Sequence, residues 1–474
     1  MKFRMRSYLR IQIIVIFFTF FPTMFAFGQH TNDSKPNIYI YIADDQNSWD
    51  YQTFGNTQVK TSNFDRLVKE GLSFSNAYTT QAICAPSRSQ LYTGLFPMKN
   101  GCFANHLPVR NVKDINDFMT ELGYEVVLAG KGHIKPNAVF NWTRYFPINN
   151  DRLIPIKKVE DYIANSQKPL CIIFSSDLPH GPFPKSNDYH NKPLDYDPSS
   201  KFISPKVGNH KAGYYQNIED DNNQLGSVLK MLETDSNLDE SVFIYISDHG
   251  LKGKWSVRET GLKIPMVIRW PNVIRPNTTN DKLVSIVDIL PTIIEISGGE
   301  KIENLDGKSL MPILSKTNIS FRDYIFGIAT RQNIQKCYVF PSRSVRDHRY
   351  KYVVNYNANE MVQDNLGSNK HINYFIERGA NQFSDVPFEE LYDLKVDPYE
   401  HVNLAQDQSL LAIKQKLSAE LNDWMISQND VLIKYKMPII KPTLHPLDRP
   451  SKWNNPKKES QFTLSNTDYI PSHY

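Results

Sequence analysis

Cysteine is scarce in this chain. Four residues, Cys84, Cys102, Cys171 and Cys337, are spread over 474 positions. That excludes a small scaffold held together by disulfides, and four cysteines allow three pairings among which sequence cannot choose. Charge of either sign is also weakly asymmetric. The formal net charge is +4 and no Lys/Arg block occurs, so nothing points to nucleic acid. No internal repeat is visible. Hydrophobic residues make up 40% and charged residues 22%, which excludes wholesale disorder. What is left is an ordinary globular composition on a chain too long for one small core. One large domain plus a smaller one is the natural expectation.

The N-terminus reads as an export signal. Lys2, Arg4, Arg6 and Arg10 precede an apolar run from Ile11 to Phe27, with Ala26 and Gly28 at its end. Charged start, apolar centre and small-residue exit are the three parts of a secretory leader. The run is shorter than the roughly 20 apolar residues that span a bilayer. Residues 1–28 are therefore expected to be a signal peptide, with the mature protein periplasmic or secreted. No cysteine stands at the exit, so no lipidated N-terminus is expected.

Beyond it, short apolar runs alternate with helical stretches. Residues 37–45, 125–133, 170–180, 241–250 and 265–271 read as strands. Most are continuously apolar, which suits strands buried on both faces. Residues 62–71, 114–124, 220–234 and 287–298 read as helices. Asp114 and Asp220 are candidate N-caps, and Gly71, Gly123 and Gly298 candidate stops. The alternation predicts an α/β fold with a large doubly wound, mostly parallel sheet over residues 35–320. After residue 320 the strands shorten and become half-exposed, and a helix is expected over 409–426. Residues 321–430 are read as a smaller α+β subdomain and 431–474 as a C-terminal arm.

Polar groups gather where these strands end. In open α/β sheets ligands collect beyond the carboxyl ends of the strands. The first strand ends in Asp44-Asp45, the second in Lys131-Gly132-His133, and the third leads to Asp177 and His180. The fourth ends in Asp248-His249-Gly250. Asp44, Asp45 and Asp248 offer hard oxygen ligands suited to calcium or magnesium. Lys131 and His133, two apart on a strand, would point the same way. The stretch QAICAPSRSQLYTG adds a fifth arm. Its Cys84, on a tight Pro-bearing turn with Arg88 four residues on, looks like a nucleophile beside an anion clamp. Each position alone also fits a cap, a turn or a surface charge; the joint pattern is what carries the reading.

That stretch resembles the signature of the type I sulfatases, within the alkaline-phosphatase-like superfamily. The resemblance extends over residues 36–430, through GKGH, PHGPF, DHG, KWSVRETGLKIP and ELYDLKVDPYEHVNLA. One departure is Tyr92, where an apolar residue usually precedes Thr-Gly; Tyr can pack there. The resemblance implies a sulfuric-ester hydrolase. Cys84 would be oxidised by a formylglycine-generating enzyme to formylglycine (3-oxoalanine), whose hydrate attacks sulfur. Asp44, Asp45, Asp248 and His249, completed by residue 84, would hold one divalent ion, Ca2+ before Mg2+. Arg88 would fix residue 84. Lys131 and His133 would grasp the sulfate and a nucleophile hydroxyl, His133 also serving as base. His180 would be the general acid and Lys254 a second sulfate clamp. Lys252 and Lys263 are expected to be solvated.

The substrate is harder to read. FPSRSVRDHRYKYVVNYN is similar to a segment of heparan N-sulfoglucosamine sulfatases. That group, however, carries Arg where this chain has Lys254, and Lys there is commoner in O-sulfatases. A sulfated polysaccharide of an alga, such as ulvan, or a host glycosaminoglycan is the expected substrate. His106, Arg110, Arg343 and Arg346 are candidates to meet a sugar sulfate or carboxylate. An N-sulfoglucosamine (heparan-type) sulfatase, or a phosphate or phosphonate monoester hydrolase of the same superfamily, is the alternative.

Overall fold

The computed structural model describes residues 35–434, apart from 104, 106–107, 136–138, 185–188, 190–207, 235–237, 315–318, 330–341 and 357–386, together with two short strands at Lys436–Pro438 and Tyr469–Pro471. The leader, His106 and Cys337 therefore lie outside the described residues. No described helix is long and apolar enough to cross a membrane.

The apolar runs form an eight-stranded sheet. Its strands are β1 (Asn37–Asp44), β2 (Leu72–Phe74), β3 (Glu125–Gly130), β4 (Arg144–Pro147), β5 (Leu170–Pro179), β6 (Ser241–Ser247), β7 (Met266–Arg269) and β8 (Thr278–Asn280). They lie side by side in the order β8-β2-β7-β6-β1-β5-β3-β4. β1 is central and parallel to both β5 and β6. Side chains of β1 alternate between two cores, as strand geometry requires. Ile38, Ile40 and Ile42 pack towards α2 (Cys84–Thr93), α3 (Ile115–Glu121) and α6 (Ile289–Ile296). Tyr39, Tyr41 and Ala43 pack towards α1 (Ser62–Glu70), α4 (Ile156–Asn165) and α5 (Gly208–Glu233). Both faces are covered, so the strands could be apolar throughout.

Two of these expectations needed correction. The strand at 266–269 runs antiparallel to β6. The intervening chain holds one helical turn, Glu259–Leu262, and returns to the same end of the sheet, where a parallel neighbour needs a full crossover. Asp220 is no cap, because α5 starts earlier and runs through it. Asp114 does cap α3, accepting from the amides of Asn116 and Asp117 in a reciprocal capping box.

A second sheet is antiparallel, in the order β9 (Ile325–Ala329), β10 (Ser342–Arg346), β11 (Tyr350–Asn355), β12 (Glu389–Asp393). The helix α7 (Leu411–Ser427) covers one face with Leu417, Leu421 and Trp424. Its other face meets the main body through Tyr78, Val257, Leu262, Val353 and Tyr392. The described residues from Lys35 onward cluster as one compact unit.

Candidate active site

The strand order sets neighbouring carboxyl ends beside one another: β6 with Asp248, β1 with Asp44 and Asp45, β5 with Asp177 and His180, β3 with Lys131. The backbone turns sharply at these ends. Asp45 has a left-handed φ of 67° and its amide donates to Asp248 Oδ1 at 3.0 Å. Gly130 has φ 116°, and a Cβ there would sit 2.0 Å from the Ser175 carbonyl oxygen. Only glycine lets β3 end this close to β5, and that brings Lys131 over Asp44.

Cys84 is the first residue of α2, so the expected Pro-bearing turn is the opening turn of a helix. Pro86 fits there because first-turn amides have no helical partner. The helix points its amide end at the cluster, which favours negative charge at residue 84. One turn on, Ser87 Oγ donates to the Asp248 carbonyl oxygen (2.5 Å). Arg88, fully buried, donates from Nε to Asp248 Oδ2 (3.2 Å) and from Nη1 to Ser175 Oγ (2.5 Å).

Around the Cys84 sulfur lie His249 Nε2 at 3.4 Å, Lys254 Nζ at 3.5 Å and Asp45 Oδ1 at 3.8 Å. Lys254 Nζ also donates to both Asp45 oxygens (2.9 and 2.7 Å). His249 Nε2 stands 3.1 Å from Asp45 Oδ1, and His180 Nε2 3.7 Å from Asp45 Oδ2. Lys131 Nζ pairs with Asp44 Oδ2 and lies 3.0 Å from Asp177 Oδ1. Lys254 is held by glycines: Gly253 and Gly261 cross so closely that a Cβ on Gly253 would lie 2.1 Å from the Gly261 nitrogen.

Three buried carboxylates thus face three permanent cations, Arg88, Lys131 and Lys254. Burial would raise Asp44, but Lys131 and Arg88 outweigh it and hold its carboxyl well below the usual range. Burial likewise opposes ionisation of Asp45, and Lys254 and His249 win. Asp248 goes the other way, raised by burial and by Asp44. Burial, then Asp44 and Asp45, push the Cys84 thiol well above its ordinary value, so as a thiol it is a poor nucleophile.

The three carboxylates fit a hard divalent ion, with the His249 imidazole a borderline donor and the Cys84 thiol a soft one. Asp44, Cys84 and Asp248, and separately Asp45, Cys84 and His249, each offer ligand atoms within 4.8 Å of one another. Asp44 Oδ1 is buried and accepts no hydrogen bond, with Arg88 Nη2 3.8 Å away. A buried carboxylate oxygen left without a donor is costly unless a cation takes it. Because side-chain charges already balance, such an ion would leave the site net positive, as a sulfate monoester requires.

Most of the expected residues converge here. The exceptions are informative. β3 stops at Gly130, and His133 has a left-handed φ of 46°. It does not share a strand face with Lys131, and it belongs to none of the metal-spaced groups. Arg343 is buried against Asp430 (2.6 Å) and Arg346 against Glu259 (3.1 Å), so both are internal staples. Arg110 spends its guanidinium on the carbonyls of Met98 and Lys99. Lys252 is not solvated; burial lowers its ammonium to about 8, with Asp50 opposing. Tyr92 is buried, edge-on to Phe140 and Trp142.

Sequence reasoning missed Arg152. Its guanidinium pairs with Asp177 (2.7 Å) and donates to the carbonyls of Asp177 and His180, both at 2.7 Å, fixing the turn that carries His180. It lies in the loop NNDRL, which has no periodicity to mark it. Tyr214, whose hydroxyl accepts from the Asn47 amide and reaches the Asp45 carbonyl, was also missed.

Comparison with known proteins follows the same lines. A family profile described as Sulfatase matches residues 36–299, and one described as N-sulphoglucosamine sulphohydrolase, C-terminal, matches residues 247–364. An ulvan-active sulfatase of Formosa agariphila is 44% identical over 452 residues, covering 92% of this chain and 90% of the relative. Among solved structures, BT4656 in complex with its substrate D-glucosamine-2-N,6-O-disulfate superposes with a TM-score of 0.66 at 17% identity, over 84% of this chain and 99% of that one. The phosphonate monoester hydrolase SpPMH from Silicibacter pomeroyi superposes with a TM-score of 0.64 at 17% identity, over 85% and 97%. These two structures speak to the fold alone.

Proposed function

The chain belongs to the sulfatase family, and on that premise we propose that it removes sulfate from ulvan or its oligosaccharides, using a formylglycine made from Cys84. It is a sulfuric-ester hydrolase. The observation that carries the finer reading is the meeting of His249, Lys254 and Asp45 within 3.8 Å of the Cys84 sulfur at a helix N-terminus. The substrate rests on the 44% identical relative, whose name records activity on ulvan.

Asp44, Asp45, Asp248 and His249 would hold one divalent ion, Ca2+ by preference because three of the four side chains are carboxylates and its coordination geometry is flexible. Bound there, the ion would neutralise sulfuryl oxygens and ease loss of a proton at residue 84. A hydrated aldehyde at position 84 supplies two hydroxyls, one to attack sulfur and one to expel sulfate afterwards, which neither serine nor cysteine offers. Arg88 fixes that side chain against Asp248. Lys131 and Lys254, freed from Asp44 and Asp45, bind the sulfuryl oxygens as charge builds. His180, 35% exposed on its side chain at the mouth of the site, protonates the leaving sugar oxygen. His133 is the base of the second half-reaction, with His249 the imidazole nearest residue 84.

Export through residues 1–28 and maturation by a formylglycine-generating enzyme complete the proposal. The match to the N-sulphoglucosamine sulphohydrolase C-terminal region favours a second reading, N-desulfation of heparan; Lys254 weighs against it.

The test is free sulfate released from ulvan oligosaccharides, carrageenan, fucoidan, heparan fragments and an aryl sulfate. The enzyme is co-expressed with a formylglycine-generating enzyme, with Cys84→Ala as control. Release from ulvan that is absent in the control, lost on chelation and restored by Ca2+ more than Mg2+, is expected. Release only from heparan fragments would move the substrate; sustained turnover by Cys84→Ser would end the formylglycine mechanism.

A further inference from the structure

A cavity of about 500 Å3 opens at the same end of the main sheet as the catalytic cluster, between the loop after β1, the start of β7 and the second sheet. None of the groups that meet at Cys84 lines it. β2 and β1 are three strand spacings apart in the sheet, roughly 14 Å, so the cavity is lateral to the reaction centre. Two loops connect them. The loop carrying Asp45 continues into Trp49, and the loop carrying Lys254 continues into Glu259; both residues line the cavity.

Its chemistry is that of an anion site with an aromatic wall. Trp49 and Tyr399 meet edge to face at 5.9 Å. At the floor, Glu259 accepts from Tyr78, Arg346 and Lys351, and Lys351 also pairs with Glu400. Two carboxylates and two cations therefore balance without Lys263. Lys263 lines the cavity, is half-buried, and makes no hydrogen bond or ion pair through Nζ among the described residues. It is not the solvated lysine that sequence suggested. Burial lowers its ammonium, Glu259 opposes and Arg346 reinforces that, and the net shift is downward. A cation held partly out of water with no paired carboxylate costs stability, and an anionic ligand would relieve it. At the exposed rim Lys395 adds positive charge, while Arg349 is paired with Asp393 (2.7 Å).

We propose that this cavity is a distal binding site for a sulfate- or carboxylate-bearing sugar of the substrate polymer, with Lys263 as its anion anchor and Trp49 and Tyr399 as the wall against the ring. It rests on the reading of the enzyme as a glycan sulfatase. A cavity of this size holds a small ligand and not a chain, so the site adds affinity for polymer by engaging one sugar away from the reacting one.

The test is calorimetric titration of the Cys84→Ala protein, with and without Lys263→Met, using ulvan oligosaccharides of two and of eight sugars. Binding of the longer one is expected to weaken about tenfold in Lys263→Met, with the disaccharide unaffected and Lys263→Arg restoring affinity. In active enzyme, KM for the longer substrate should rise with kcat and aryl sulfate turnover unchanged. Equal effects on both lengths, or none, overturn the proposal, and a melting temperature no lower than the parent's shows that Lys263→Met folds. Should the active enzyme release no sulfate from ulvan, the same titrations with carrageenan and heparan oligosaccharides separate the two ideas. Lys263-dependent binding there supports the cavity with another polymer, and its absence from every series overturns it.

Discussion

His180 shows how one residue's role is distinguished from its surroundings. Its Nε2 faces Asp45 across 3.7 Å, and its Nδ1 lies 2.6 Å from the Gly181 carbonyl oxygen, so Nδ1–H donates there and the ring must be an imidazolium for Nε2 to carry a second proton to the leaving oxygen. A general acid matters in proportion to how poor the leaving group is. His180→Ala should lower kcat on glycan sulfate by about 10^2–10^4-fold and should cost much less on an aryl sulfate, whose phenolate leaves unaided. Equal losses on both would assign His180 to sulfate binding. Residue types at this scale were legible in sequence, because hard oxygens, imidazoles and lysines at strand ends have few other uses together. Arg152 was not, because a residue that fixes carbonyls in a loop leaves no pattern.

Elements place these residues through close backbone contact. The loop from Asp248 to Leu262 folds on itself, with the Gly250 amide donating to the Gly261 carbonyl (2.9 Å) and the Gly253 amide to that of Thr260 (3.1 Å). Gly253→Ala puts a Cβ about 2 Å from the facing backbone and must push Lys254 away from residue 84. Activity should fall at least about tenfold while circular dichroism stays native; a fully active variant would show that the loop does not set Lys254. The KxxxxExGxxxP spacing in the sequence marks this device. Its Lys acts, its Gly allows the crossing, and its Glu anchors the loop elsewhere.

The anchor is what joins the two sheets. Glu259 is 6% exposed and binds Tyr78, Arg346 and Lys351. Burial would raise its pKa, yet Lys351, Arg346 and Lys263 bring it down to about 2. A depressed carboxylate stabilises the fold above its unfolded value of about 4.5 and loses that contribution as pH falls towards 2. Glu259→Gln should cost about 3–5 kcal/mol, the usual penalty for stranding buried partners. It should also flatten the loss of stability between pH 4.5 and 2, as measured by denaturant titration at each pH. An unchanged acid profile would place the acid sensitivity in the catalytic carboxylates.

The sequence by itself determined the class of fold and the chemistry at its strand ends. Continuous apolar runs must be covered on both faces, and the polar groups that follow them must then collect at one end of the sheet. It also determined the Asp114 cap, whose hydrogen bonds are local. Only the tertiary structure decided the reversal of β7, the departure of His133 from a strand face, the burial of Arg343 and Arg346, and the placing of Lys263 in a cavity wall. Each of those depends on which distant segment arrives opposite, and no local period records that. A lysine or arginine looks solvated in sequence until the carboxylate or cavity that takes it is brought there by another part of the chain.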